Sequence, residues 1–267
     1  MPSGHVAVAE LADALWRAEM NRTAIPPITD GISMFSPSDA YAVQRINVTR
    51  RLEQGSVVRG RKVGLTSRAS QAVLGVTEPT FGVLLSDMFR EDEDELALGD
   101  LVQPRVEAEL AFVLSTDLSG PGVTTVTAMR SVDCVVPAIE VGDSRITDWR
   151  IRVSDTIADN ASSARVVIGP GFAPLTPALD LGHLGVLFYR NGVPIDSGAG
   201  AAVMGNPVRA LAWLANKLAE YGEFLRAGDV VLAGALHRMV PVRAGDEFCA
   251  EFARLGAVGV RFTGGAS

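Results

Sequence analysis

Cysteine is nearly absent from this 267-residue chain, with only Cys134 and Cys249, each inside an apolar run. Two such residues read as reduced core thiols, and a disulfide framework has nothing to build on. Histidine is as scarce: His5, His183 and His237 are the whole set. None lies in a nucleophile motif and no Gly-x-Ser-x-Gly elbow occurs, so Ser-His-Asp chemistry is unsupported and all three read as packed or surface histidines. Zinc is unsupported too, because histidine and cysteine at ligand spacing are missing. No basic cluster offsets a formal net charge of −7, and aromatic residues make up 6%. A nucleic-acid partner would need a cationic footprint, so none is expected. No uncharged run reaches the roughly 18 residues that span a bilayer, and the N-terminus lacks a cationic stretch followed by an apolar one. A soluble cytoplasmic protein without a membrane partner is expected. Gly198-Ala199-Gly200 is followed by Val203 where a dinucleotide loop needs its third glycine, and it trails a hairpin, so a flexible loop is the better reading.

What is present is ample apolar material, 48% of residues, with a mean hydropathy of +0.23. Val8, Leu11, Leu15 and Ala18 recur at helical spacing over about 6–21. A second helix is expected from Ser36 as N-cap, with Pro37 at its first position and Asp39 in its first turn, ending near Gly55. From Val57 onward short apolar runs are broken by glycine, which indicates a β-rich body. The acidic run Glu91–Glu95 reads as a solvated turn, and Asp155 to Ser163, rich in small polar residues, as a loop near a site. Asn191-Gly192 marks a hairpin, and Asn206-Pro207 starts a helix whose buried stripe is Val208, Leu211, Leu214, Ala215 and Leu218. Many strands and few helices in irregular order predict an α+β fold.

One stretch carries candidate chemistry. Between Arg105 and Leu114, Val106, Ala108, Leu110, Phe112 and Leu114 alternate as the core face of a strand. Glu107 and Glu109 then project from the opposite face, roughly 7 Å apart, beside Ala111 and Val113. Like charges at the edge of an apolar surface repel and lose hydration, which a hard divalent cation resolves; two solvated glutamates on a half-exposed strand are the plainer reading. The apolar strand ending in Ile139 delivers Glu140. Lys62, in a glycine-flanked segment, is either a surface lysine or one whose proton affinity apolar surroundings lower into a useful range. Asp87, closing the strand Phe81–Leu85, is equally open.

Several stretches in order resemble the 2-keto-4-pentenoate hydratases. They are Gly60-Arg61-Lys62-Val63-Gly64-Leu65-Thr66-Ser67, Phe81-Gly82-Val83-Leu84, Pro104-Arg105-Val106-Glu107-Ala108-Glu109, Ile139-Glu140 and Asp159-Asn160-Ala161-Ser162-Ser163. Trp213 to Leu218 and Val231 to Ala235 extend the likeness into the C-terminal third. With the 4-oxalocrotonate decarboxylases, these enzymes form a branch of the fumarylacetoacetate hydrolase superfamily. The resemblance implies a mixed β-sheet roll, barrel-like, of the fumarylacetoacetate hydrolase C-terminal type over residues 56–267, with helices of residues 1–55 packed on it. It implies Glu107, Glu109 and Glu140 as ligands of Mg²⁺ or Mn²⁺, Lys62 and Asp87 as proton-transfer groups, and Leu65, Ser162 and Ser163 at the substrate. The implied reaction is metal-dependent hydration of 2-hydroxypenta-2,4-dienoate to 4-hydroxy-2-oxopentanoate. A decarboxylase of 2-oxohex-3-enedioate, a hydratase of a longer or dicarboxylic 2-oxo-enoate, and a cation-binding assembly partner of a sister enzyme are the alternatives. Where the hydrolase branch carries a general-base histidine, this chain reads Leu65-Thr66-Ser67-Arg68-Ala69, which disfavours C–C hydrolysis. A second substrate carboxylate would call for a basic residue, for which Arg145, Arg165 and Arg238 are candidates. A homo-oligomer, and a complex with a sister hydratase, decarboxylase or aldolase, are the implied assemblies.

Overall fold

The second of the two opening helices forms where its cap puts it. The computed structural model describes residues 5–30, 32, 34–176 and 178–264, with α1 over His5–Met20 and α2 over Pro37–Glu53. At the start of α2 the Ser36 hydroxyl accepts the Asp39 amide and the Asp39 carboxylate accepts the Ser36 amide, a reciprocal capping box. Ala12, Leu15, Tyr41 and Val43 bury into the same main core as the strands, and Tyr41 stacks on Phe81 at 4.4 Å between ring centroids. The side chain of His5 lies outside the described residues.

Next come β1 (Val58–Gly64), α3 (Arg68–Leu74) and β2 (Thr80–Leu85), then the short β3 (Phe89–Glu91) and β4 (Glu95–Ala97). The centre of the chain is β5 (Pro104–Leu114), α4 (Thr125–Arg130), β6 (Val132–Asp143), α5 (Val153–Ala158), β7 (Ser163–Ile168) and β8 (Ala173–Pro174). The hairpin β9 (Gly185–Arg190) and β10 (Val193–Ala199) turns through Asn191 and Gly192, both at positive φ (52° and 75°) as a two-residue turn demands. Helix α6 (Pro207–Ala219) and strands β11 (Val230–Ala235), β12 (Val240–Pro241), β13 (Glu247–Phe252) and β14 (Gly256–Thr263) complete the order.

The main sheet runs β2-β1-β11-β5-β6-β7-β3, with β12 on β5 and β8 on β6; the second runs β10-β9-β13-β14-β4. β1 is parallel to β11 while β5 is antiparallel to both β11 and β6, so the fold is α+β with a mixed sheet. One face of β5 and β6 supplies Val106, Ala108, Leu110, Phe112 and Ile139 to the main core. Their other face, with Leu232, builds a second apolar cluster through Ala111, Val136 and Ala138. The central strands are therefore sandwiched, and any charge on that second face is also buried.

Asp155–Ser163 is not the expected loop. Ser154–Ala158 are buried in α5, because the Asp155 carboxylate accepts the Thr29 amide and hydroxyl and the Arg152 amide, capping the turn. The cysteines are free, but half-buried instead of core. His183 is an exposed partner of Asp180 at 2.7 Å.

His237 is the packed histidine, and it holds the ladder. Between the β11 and β12 pairings with β5, the Ala108 N–H donates to His237 Nε2 at 3.0 Å. An amide can only donate, so Nε2 is unprotonated and Nδ1–H donates to the Arg238 carbonyl at 2.8 Å. Burial pushes the imidazole below its ordinary 6.5, so the unfolded chain binds the proton more readily. Stability is therefore present above about pH 6.5 and falls as pH drops through that value. Thermal melts of the wild type should lose stability from pH 7 to pH 5.5, and His237→Gln, which can still accept the Ala108 amide, should flatten that slope.

Candidate metal centre and active site

Register brings the carboxylates together. β5 and β6 pair with Glu107 directly opposite Glu140, and Glu109 follows two residues along on the same face. The three offer oxygens within 4.8 Å of one another. All are buried, Glu109 and Glu140 to 1% exposure. On β1, Lys62 pairs with Leu232, which pairs with Ala111, so its side chain rises from the same face. Lys62 Nζ lies 2.9 Å from Glu140 Oε1.

Three buried carboxylates against one ammonium leave an excess of negative charge that burial does not tolerate. Burial first, then the charge of Glu140, partly relieved by Lys62, pushes the Glu107 carboxyl up to about 8. Glu109 is raised for the same first two reasons and by Glu107. A hard dication fits this cluster, because it takes carboxylate oxygens and supplies the missing positive charge. Lys62 departs from expectation. Burial pulls its proton affinity down, but Glu140, Glu107 and Glu109 outweigh it and the net direction is up. The residue is an ammonium here, not a lysine lowered by apolar surroundings.

Glycines shape the space around these groups. The Gly234 amide donates to Glu109 Oε2 at 2.7 Å, at a φ of 120°, and a Cβ there would meet Thr66 Oγ1 at 2.3 Å. No other residue fits. A Cβ at Gly64 would stand 3.0 Å from Thr80 Oγ1 and 4.0 Å from Lys62 Nζ, so Gly64 keeps the gap between hydroxyl and ammonium open. Gly82, the partner of Lys62, lets the turn 160–163 close onto β2: a Cβ would meet the Asn160 carbonyl at 2.5 Å and Ser163 Oγ at 2.8 Å. Asn160 locks that turn, accepting from the Val83 amide and donating to the Val83 carbonyl.

The expected substrate residues divide. Ser162, at a φ of 57°, has a buried hydroxyl with no hydrogen-bond partner, while Ser163 Oγ donates to the Asn160 carbonyl at 2.8 Å. Leu65 also sits at a positive φ of 56°, and its carbonyl accepts from Gln71. Such strain persists only where surroundings over-determine it, and it gathers at sites. Asp87 is not brought to the cluster. It is largely exposed, ion-paired to Arg51 at 2.9 Å and bonded by Ser56, because the strand has ended and its side chain faces α2. Of the basic candidates, Arg145 is locked on Asp159 at 2.5 Å, Arg165 donates to its neighbour's carbonyl, and Arg238 is exposed.

Sequence reading gave no role to the Gly234 amide or to Thr80. An isolated glycine inside an apolar strand pattern, as in Ala233-Gly234-Ala235, is the available signal for a close backbone approach.

A mixed sheet whose adjoining strands bring three buried carboxylates within reach of one divalent cation is the frame of a metal-dependent enzyme class. Residues 54–263 match the fumarylacetoacetate hydrolase C-terminal family, and the chain belongs to it. It is 46% identical over 256 residues to the TodF product hydratase of Pseudomonas putida, covering 96% of this chain and 95% of that one. It is 44% identical to the 2-keto-4-pentenoate hydratase of Paraburkholderia xenovorans, covering 95% and 94%. Among solved structures, the 4-oxalocrotonate decarboxylase of Pseudomonas putida G7, complexed with magnesium and adipate, superposes with a TM-score of 0.92 at 36% identity, covering 98% of this chain and 99% of that one.

Proposed function

We propose that this protein is a metal-dependent hydro-lyase of the meta-cleavage pathway of aromatic catabolism, converting 2-hydroxypenta-2,4-dienoate and water to 4-hydroxy-2-oxopentanoate. The observation that carries the reading is the buried cluster of Glu107, Glu109, Glu140 and Lys62, in a chain this similar to named hydratases. The three glutamates hold the ion, Mg²⁺ or Mn²⁺, whose chemistry when bound is that of a Lewis acid and template for a 2-oxo acid. The apolar cluster of Ala111, Val136, Ala138 and Leu232 beside them limits bulk water and strengthens each charge.

The chain's own groups then handle protons. Hydration needs a proton at C5, loss of the enol proton, water at C4 and a proton at C3. Lys62, held as an ammonium beside Glu140, is the donor for the carbon that gains the proton and recovers one as the enol is lost. Ser162, with its unpartnered hydroxyl, meets the substrate carboxylate, with Leu65 and Ser163 shaping the same wall. Asp87, tied to Arg51, takes no part in this scheme.

Residues 1–55 act as a helical layer on a catalytic body of residues 56–267, and the setting that suits this reading is a cytoplasmic homo-oligomer. No helix among the described residues is long and apolar enough to cross a membrane. One assay tests the reading. Purified protein with Mg²⁺ or Mn²⁺ should bleach the dienoate absorbance without releasing CO₂ from 2-oxohex-3-enedioate. CO₂ release would make it the decarboxylase; inertness to both would favour a cation-binding partner of a sister enzyme.

A further inference from the structure

Asn160, Ala161 and Ser162 follow one another at φ values of 51°, 51° and 57°. Three successive residues in the left-handed region make a turn that L-residues avoid, because Cβ crowds the following carbonyl. Asparagine visits that region readily; alanine and serine stay there only under constraint. The turn stands on the glutamate face of the sheet. Gly82 shares a face with its cross-strand partner Lys62, and Gly142 shares one with Glu140, two residues before it. A Cβ at Gly82 would come 3.2 Å from the Ala161 Cβ, and one at Gly142 would come 3.6 Å from the Ser162 carbonyl. The buried, unpartnered Ser162 hydroxyl is thus carried on a strained arm, on the same side of the sheet as the carboxylates.

A buried arginine holds that arm. Arg145 Nε donates to Asp159 Oδ1 at 2.5 Å, and the Arg145 amide donates to Asp159 Oδ2 at 3.0 Å. The two terminal nitrogens divide between the ends of the turn. Nη2 donates to the Asp159 carbonyl at 2.7 Å, just before it, and Nη1 to the Ser163 carbonyl at 3.4 Å, just after it. The same Asp159 carbonyl accepts the Ser162 amide at 2.8 Å, so Arg145 and Ser162 share one acceptor. Nη1 also donates to the carbonyl of Asp143, the last residue of β6 and three beyond Glu140. One planar guanidinium therefore ties both ends of the left-handed turn to the strand that carries Glu140. Arg145 and Asp159 are both buried, and ion pairs so buried add little net stability over apolar side chains. What this one supplies is geometry.

We propose that Arg145 is a positioning residue of the active site: with Asp159 it holds the left-handed turn against β6, so that the Ser162 hydroxyl meets the substrate carboxylate. This rests on the reading of Ser162 as that contact. Arg145 itself touches no substrate, since its donors end on Asp143, Asp159 and Ser163. Lysine cannot replace it, because one ammonium does not reach three carbonyls that a rigid fork spans. Released from the fork, Ala161 and Ser162 relax out of the left-handed region and the hydroxyl leaves its place. The three glutamates stay where they are, because the pairing of β5 with β6 does not pass through the turn.

The test compares the Mg²⁺-loaded wild type, Arg145→Lys, and Arg145→Lys combined with Ala161→Gly. Arg145→Lys should raise KM for 2-hydroxypenta-2,4-dienoate about 30-fold, the order of one hydrogen bond to a charged group, with kcat changed less than about threefold. Mg²⁺ affinity should also stay within about threefold, since the glutamates have not moved. Glycine takes the left-handed backbone without strain, so adding Ala161→Gly should recover about fivefold or more of the lost KM. A part that merely supports the fold gives another pattern: KM, kcat and Mg²⁺ affinity worsen together, and glycine recovers nothing. That pattern, or an unchanged KM, overturns the proposal. Should Arg145→Lys not fold, Asp159→Asn, which keeps an acceptor for the Arg145 amide, should show the same rise in KM, and its absence there is equally decisive. Calorimetric titration with 2-oxopentanoate separates this from the function itself. Its affinity should fall in Arg145→Lys and return with Ala161→Gly. If the dienoate is not turned over, the hydratase reading fails, and the titration still decides the role of Arg145. Equal affinities, or no binding by the wild type, sink it.

Discussion

Glu109→Gln is expected to lose divalent-metal dependence and turnover together. Glutamine keeps the volume, and its carbonyl can still accept the Gly234 amide that Glu109 Oε2 accepts at 2.7 Å, so the fold should hold. What changes is charge: one of three converging carboxylates becomes neutral, and the remaining pair is balanced more nearly by Lys62. A fall in kcat/KM on the order of 10³ is expected, equivalent to several kcal/mol of stabilisation supplied at the oxygen of a 2-oxo acid. An active variant indifferent to chelator would remove the metal centre from the account. The metal-free protein adds a signed check. Burial and mutual repulsion raise Glu107 to about 8 from 4.5 and raise Glu109 as well, so the folded state keeps protons that the unfolded state has released. Metal-free stability should therefore fall as pH rises from about 4.5 through about 8. Mg²⁺ should restore it at the upper end by replacing those protons. Glu109→Gln should shrink the fall, read from melts with and without chelator across that range.

Lys62→Met is the second large effect and differs in kind. The ammonium is 5% exposed and sits 2.9 Å from Glu140 Oε1, facing the cluster of three carboxylates. Removing it should lower kcat by about 10² to 10⁴, the span of a lost general acid. Metal affinity should hold or tighten, because a competing positive charge has gone. Without metal, the variant should lose about 3–5 kcal/mol, since a broken buried pair leaves its carboxylate unpaired. Added Mg²⁺ should return most of that. Near-normal turnover with metal bound would take Lys62 out of the proton transfers; loss of metal binding would make it a structural strut.

Of the fold, the elements with local causes were legible. The capping box of Ser36 and Asp39, the Asn191-Gly192 turn and the apolar stripe of α6 each depend on residues a few positions apart. Asp155–Ser163 was not, because its small polar residues suggest a loop until Thr29, over a hundred positions away, is seen donating twice to Asp155. Asp87 was open from its place after a strand and became a site residue only through the family resemblance, yet Arg51 on α2 draws its carboxylate aside. Where a side chain goes after its strand ends is a question for the neighbouring element, and sequence order carries no answer.

The sequence by itself determined that Glu107 and Glu109 share one face, because a strand alternates and nothing else about the fold is needed for that. With the ordered motifs, it also determined the family. Only the tertiary structure decided that the face is buried, that register sets Glu140 opposite Glu107, and that Lys62 arrives as an ammonium. It alone set Arg105 beneath Trp149. The reason is physical: alternation is a property of one strand, whereas register, burial and proton affinity belong to pairs of strands and to the charges that packing leaves without water.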